Sequence, residues 1–350
     1  MFKVDYHWDR LKTCVVGSVY PPEHFSWVVD PNIRSGLEQL VQETEEDLQK
    51  LIKFLESFDV KVVRPLLPEE GNHFDKPVVA PRDHMAMIGD RFFIDNRGRE
   101  RQMAPIVNLV REQGNEIIFD QQINSAEVIR LGKDLYWSDP DDFLLIHDVY
   151  RKEGVDLDYD QGRKMESIIK QSKAKIFRKN RQKKLAELFK DYRNHFMGTE
   201  GHIDGILVAI KEGLMLVKEE YETPYIGLAN EYFPDWEKIN LSFLDDEGSI
   251  KQKLVMAGKK WWIPGKETHA GFSNFIDDYL NHWITDVSET RFSANTLMID
   301  PYNAVCVGFP DKVLDAYARY GITPHVIDFR HRYFWDGGIH CITADLDRGD

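Results

Sequence analysis

A short strand–turn–strand unit recurs along the 350 residues, and it limits the fold more than any other feature of this sequence. A polar or acidic residue opens an apolar strand, a tight turn follows, and a second strand returns. Asp83 opens HMAMI, Gly89-Asp90 turns, and RFFI returns. Glu127 opens VIRL, Gly132-Lys133 turns, and DLYW returns. Asp204 opens GILVAI, Lys211 to Gly213 turn, and LMLV returns. Asn295 opens TLMI, Asp300 to Asn303 turn, and AVCVG returns. Apolar runs around a short turn rich in Gly or Asn are the signature of β-hairpins. TCVVGSV (13–19) matches the first half of a further unit.

A helical pattern and then a strand follow several of these hairpins. Residues 36–58 carry apolar side chains at helical spacing and lead into VKVVRPLL. PIVNLVREQG leads into NEIIFDQQ, and KVLDAYARYG into ITPHVIDF; both of these helices are expected to end at their Gly. Spacings of about 40 to 90 residues are too irregular for an open solenoid. A closed ring of α/β modules, one domain over residues 1–350, suits them better and gathers the hairpin openings around a central site.

Composition removes several classes. Hydrophobic residues make up 42% and charged residues 30%, which excludes a disordered chain, and no apolar run approaches the ~18 residues that span a bilayer. The opening MFKVDYHWDRLKT lacks an apolar h-region, so no signal peptide is expected. Three cysteines (Cys14, Cys306, Cys341) without a CxxC predict a reducing, cytoplasmic setting. A net charge of −14 disfavours nucleic acid and anionic membranes as partners. One segment departs from that balance. Residues 163–193 hold 12 Lys and Arg against 3 Asp and Glu. We read 157–196 as a basic helical excursion, either simply solvated or a contact for an anionic partner.

Candidate chemistry is concentrated in two places. In WDGGIHCITADL, Gly337 and Gly338 allow backbone conformations closed to other residues, and Cys341 is either a thiolate nucleophile or a small buried hydrophobe. In GTEGHIDGILV, His202 and Asp204 stand two apart at an expected strand start, which places them on one face. They could shuttle protons and hold a cation, form an ordinary hairpin entrance, or supply two metal ligands. No HExxH or Cys/His cluster accompanies them, so zinc is disfavoured, and without nucleotide motifs no cofactor is expected. Asp83 and Glu127 occupy similar entrances. Carboxylates converging on a cysteine would suit a planar guanidinium, whose N–H fork matches paired carboxylates.

The order PRD…SAEVIRLGKD…GHID…SAN…GGIHC resembles the amidinotransferases, a family that includes glycine amidinotransferase and inosamine-phosphate amidinotransferase. These are guanidino-group-modifying enzymes of the pentein superfamily, and the likeness runs over most of the chain. It implies a pentein-type α/β propeller of five ββαβ modules around a pseudo-fivefold axis. It implies Cys341 as nucleophile, His202 as general acid/base, and Asp204 and Asp83 as donor-binding carboxylates, with Ser288 a weaker donor-binding match. The family pairs its histidine with an acid where this chain has Asn124; either Asn124 orients the imidazole without charge or Glu127 compensates. Where glycine-type members carry a carboxylate-binding arginine, this chain has Tyr221, with Lys218 nearby.

The implied reaction transfers an amidino group from L-arginine to an acceptor amine through an amidino-cysteine and releases ornithine. A hydrolase of the same superfamily, arginine deiminase-like, would resolve the same intermediate with water. A non-catalytic ring that binds through its basic helix is the third reading. Partners are then the donor and the amine, and a homodimer is compatible with the sequence.

Overall fold

The computed structural model describes residues 1–68, 74–139, 163–199, 202–218, 225–241, 263, 265–266, 269–284 and 292–349, and of residues 163–175 it describes the backbone alone. These residues form five three-stranded sheets, each an antiparallel hairpin with a parallel third strand reached through a helix. In the second module β3 (Met85–Ile88) and β4 (Arg91–Ile94) pair, α2 (Glu100–Glu112) crosses, and β5 (Glu116–Phe119) lies parallel to β4. The third repeats this with β6 (Val128–Leu131), β7 (Asp134–Ser138), α3 (Arg163–Leu188) and β8 (Arg193–Met197). The fourth uses β9 (Leu207–Lys211), β10 (Leu214–Lys218), α4 (Tyr225–Tyr232) and β11 (Glu237–Leu241). The fifth uses β12 (Leu297–Asp300), β13 (Asn303–Cys306), α5 (Asp311–Tyr320) and β14 (Thr323–Val326).

The first module closes the ring. β1 (Leu11–Val16) pairs antiparallel with β15 (Thr343–Arg348) from the other end of the chain, and α1 (Pro31–Ser57) leads to β2 (Lys61–Val63), parallel to β1. TCVVGSV is therefore the second half of a hairpin whose first half is TADLDR, 330 residues later by register (Thr13↔Asp347, Val16↔Thr343). Five ββαβ modules joined in this way constitute a pentein-type α/β propeller.

Local chemistry accounts for the elements. Gly89, Gly132 and Gly213 take φ of +58°, +64° and +82° at three hairpin turns, which side chains with a Cβ resist. Asp30 caps α1, its Oδ1 accepting from the Asn32 and Ile33 N–H groups, and Pro31 occupies the first helical position. Leu37, Leu40, Val41, Leu48, Leu51 and Leu55 recur at three-, four- and seven-residue steps along α1 and are all fully buried. Each such side chain stabilises the fold by roughly 1.5–3 kcal/mol relative to exposure. Gly321 ends α5 in the left-handed conformation, as expected. Helix α2 starts five residues ahead of Pro105.

The basic segment supplies α3 and β8 of the third module. Leu185 and, just beyond the helix, Phe189 are fully buried against Phe93 and Trp137. Arg178 pairs with Asp139 at 2.6 Å and Lys184 with Asp120 at 2.6 Å. These two basic side chains thus answer carboxylates that follow β7 and β5. Among the described residues no helix is long and apolar enough to cross a membrane.

Candidate active site

Four hairpins are each preceded by a short 3-10 turn: Pro81–His84, Ser125–Glu127, Ile203–Gly205 and Phe292–Ala294. The first turn touches the second, the second the third, and the third the fourth, while the first also touches β15. The hairpin openings are thereby gathered about one centre. This geometry corrects the expectation that His202 and Asp204 share a strand face. His202 stands at the N-cap of the 203–205 turn and Asp204 lies within it, and β9 begins only at Leu207. Asp204 points inward with 4% of its side chain exposed, whereas His202 is 41% exposed. Strand periodicity cannot apply to a turn, so the two side chains diverge.

Cys341 lies in the tight loop that leads into β15 and is buried. The amide of Asn295 grips it at two points. Asn295 Nδ2 donates to Cys341 Sγ at 2.9 Å, and the Cys341 N–H donates to Asn295 Oδ1 at 3.0 Å. The two glycines upstream make this approach feasible through space. Neither has positive φ; the left-handed residue in this loop is Asp336, at φ 49°. A Cβ on Gly337 would lie 2.7 Å from Cys341 Cβ, and one on Gly338 would lie 2.8 Å from Asn295 Cβ. We predict that Gly338→Ala displaces Asn295 and destabilises the protein by about 1–3 kcal/mol, the usual cost of overpacking. Chemical denaturation measures it, and a variant as stable as the parent would contradict the close fit.

The residue before the cysteine also belongs to the site. His340 is buried, and its Nδ1 is 2.9 Å from Asp204 Oδ2. Burial, reinforced by the Arg82 charge, pushes His340 down to about 4, so at neutral pH it is uncharged. Facing a carboxylate, its proton belongs on Nδ1, which donates to Asp204. Burial raises Asp204, but the His340 hydrogen bond and the charges of Arg82 and His202 hold it net below the usual carboxylate range. Asp204 is therefore a buried anion at neutral pH.

Asp83 differs. Its Oδ1 is buried without a hydrogen-bond partner, and His202 Nδ1 stands 3.8 Å away. Burial raises its affinity for a proton and the neighbouring Asp204 adds to this, against His202 and Lys76. An orphaned carboxylate oxygen beside a second, ionised carboxylate attracts a cationic N–H donor. Below these groups lies a buried ionic cluster. Asp345 accepts from Arg130 at 2.8 and 2.9 Å and from Arg348 at 2.8 Å, with Arg82 Nη2 at 3.4 Å. The three guanidinium groups outweigh the burial that opposes them and hold Asp345 well below the usual carboxylate range. Arg82 Nε in turn donates to the His340 carbonyl at 2.8 Å.

The other sequence candidates fall as follows. Asn124 caps the 125–127 turn, its Oδ1 accepting from the Ala126 and Glu127 N–H groups at 3.0 and 3.1 Å. Glu127 pairs with Arg181 of α3 at 3.2 Å, and Arg181, 7% exposed, also donates to the Ser138 carbonyl at 2.6 Å. Lys218 is buried at the end of β10. Ser288 and Tyr221 lie outside the described residues. Among the described residues no group of three His, Cys, Asp or Glu side chains could hold a metal ion. Sequence reasoning missed His340, Arg82 and the role of Asn295. All three stand inside motifs already singled out (GGIHC, PRD and SAN), but their partners are 46 to 263 residues away.

The propeller is shared with guanidino-processing enzymes. The amidinotransferase SxtG from Microseira wollei, in the saxitoxin biosynthetic pathway, superposes with a TM-score of 0.61 at 16% identity, over 99% of this chain and 97% of that one. The inosamine-phosphate amidinotransferase StrB1 from Streptomyces griseus gives 0.59 at 16% identity, over 100% and 97%. The agmatine deiminase of C. jejuni gives 0.55 at 12% identity, over 100% and 97%. At these identities the likeness establishes the pentein fold. No protein-family model matches the chain, and no curated protein matches it by sequence.

Proposed function

We propose that this protein is an amidinotransferase that moves the amidino group of L-arginine to an acceptor amine. One observation carries the reading. Cys341, clamped by an amide, follows a histidine bonded to the ionised carboxylate Asp204, and the adjoining turns carry Asp83, with its orphaned oxygen, and the accessible imidazole His202. Two carboxylates suit a guanidinium, and the thiolate suits its electrophilic carbon.

In this reading the Cys341 thiolate attacks the guanidinium carbon while Asp204 and Asp83 hold the N–H groups. The C–Nε bond of arginine breaks, His202 gives its proton to the departing nitrogen, and ornithine leaves. An amidino group remains on Cys341 as a thioether-linked cation. An acceptor amine loses a proton to His202, bonds to the amidino carbon, and expels the thiolate. The product is the amidinated amine, and cysteine and histidine return to their starting states. No metal or cofactor enters this balance.

The 41% exposure of the His202 side chain favours a second reading, in which water replaces the amine and the enzyme is a guanidine hydrolase. Incubation with L-arginine, with and without candidate amines, separates the two. Ornithine together with an amidinated amine supports transfer; citrulline or ammonia without acceptor supports hydrolysis. His202→Asn is expected to slow donor cleavage and acceptor attack alike, by about 10²–10⁴-fold. Single-turnover measurements check this, and slowing of one half-reaction alone would remove the shuttle role.

A further inference from the structure

We infer that Arg82 and Asn295 are positioning residues that hold Cys341 as a thiolate through one continuous chain of hydrogen bonds. The inference deepens the reading of Cys341 as nucleophile and rests on it.

The chain begins at the fully buried Arg82 guanidinium. Its Nε donates to the His340 carbonyl oxygen at 2.8 Å. That carbonyl belongs to the peptide group whose N–H is that of Cys341, and this N–H donates to Asn295 Oδ1 at 3.0 Å. The other end of the same amide, Nδ2, donates to Cys341 Sγ at 2.9 Å. Two amide groups in series thus connect a permanent cation to the sulfur. Each donor that is pulled upon polarises the next, and in a buried setting such chains strengthen along their length.

The orientation of the Asn295 side chain is fixed by chemistry. A backbone N–H can only donate, so the oxygen of the amide must face it. The nitrogen, which has donors alone, must then face the sulfur. A donor held against sulfur favours the thiolate over the thiol. The surrounding charges agree in sign. Arg82, Arg130 and Arg348 stand against Asp204 and Asp345, and His7 and His340 are both held neutral by burial. On the open side Asp83 is offset by Lys76 and His202. An anionic sulfur completes the balance of the buried set. Gly338 belongs to the same device, since any Cβ there would displace Asn295.

The test compares the full-length protein with Asn295→Asp and Asn295→Ala, by the pH dependence of iodoacetamide alkylation of Cys341. Intact mass counts the adducts, and Cys341→Ala supplies the blank. Asn295→Asp keeps an acceptor for the Cys341 N–H but turns a carboxylate oxygen toward the sulfur. We expect its alkylation at pH 7 to be about tenfold slower or more, with the midpoint of the profile moved to higher pH. Asn295→Ala should move in the same direction by less. If Asn295→Asp does not fold, the alanine variant decides alone. A purely structural role for Asn295 would lower stability without moving the midpoint, so a parental profile in the folded variants overturns the inference. Alkylation needs no substrate. A shifted midpoint in a protein that never takes up an amidino group would therefore refute the transfer reading and leave the hydrogen-bond chain standing.

Discussion

Cys341→Ala is expected to abolish turnover, by about 10⁴-fold or more, and to leave the fold intact. In the proposed mechanism this variant loses the atom that would bond to the substrate, and no neighbouring group would replace it. The other two thiols are unsuited to the task. Cys14 is buried in β1, where burial and the adjacent Asp345 push its thiol up to about 12. Cys306 is buried in β13, and its Sγ donates to the Phe292 carbonyl at 2.8 Å. The alanine variant loses one small side chain in a loop whose glycines already accommodate close contact, so circular dichroism and the unfolding midpoint should be close to parental. Steady-state assays with L-arginine check the rate. Parental activity in this variant would end the covalent mechanism.

Removing the Asp345 carboxylate is expected to have the largest effect on stability. It is 1% exposed and is shared by Arg130, Arg348 and Arg82, themselves almost wholly buried. Truncating one partner of a buried ionic group typically costs about 3–5 kcal/mol, because the remaining charges are left without compensation. Asp345→Ala leaves Arg130 and Arg348 in that state, and Arg82 with only Asp204 at 3.8 Å, at the seam where β15 and β1 close the ring. Urea unfolding should show a loss in that range, and a change under about 1 kcal/mol would mean that water reaches the cluster. The sign with pH follows from linkage. The folded-state affinity of Asp345 for protons is depressed, so its contribution is complete above the unfolded carboxylate pKa near ~3.9 and is lost as pH falls through the lower folded value.

The features legible in the sequence are those that depend on near neighbours. Alternating apolar residues around Gly89, Gly132 and Gly213 announce hairpins because register and turn are decided within about ten residues. The α5 terminus at Gly321 is equally local. The closing hairpin was only half visible, since β1 finds its partner at the opposite end of the chain. The entrances also hid their geometry. A residue such as Asp204 beside an apolar run reads as the first strand position, yet a 3-10 turn intervenes and sends His202 outward and Asp204 inward.

The site was legible as residue types and motifs, and much less so as interactions. Cys341, His202, Asp204 and Asp83 are conspicuous because their chemistry is. His340 looked like a neighbour of the cysteine until its ring met Asp204, 136 residues earlier. Gly337 and Gly338 suggested special backbone angles, whereas the space taken by Asn295 and Cys341 is what excludes a Cβ there. Glu127 and the basic helix were read separately, yet Arg181 joins them. Contacts of this kind depend on the closed ring, which brings distant turns together and leaves no trace in local pattern.

The most direct test is the intact mass of the purified protein after incubation with L-arginine alone, followed by an acid quench. One amidino group on each chain, mapped to Cys341, is expected, with one equivalent of ornithine released. The adduct should vanish when an acceptor amine is added. An unmodified protein that nevertheless consumes arginine, or an adduct on any other residue, would contradict the covalent mechanism at Cys341.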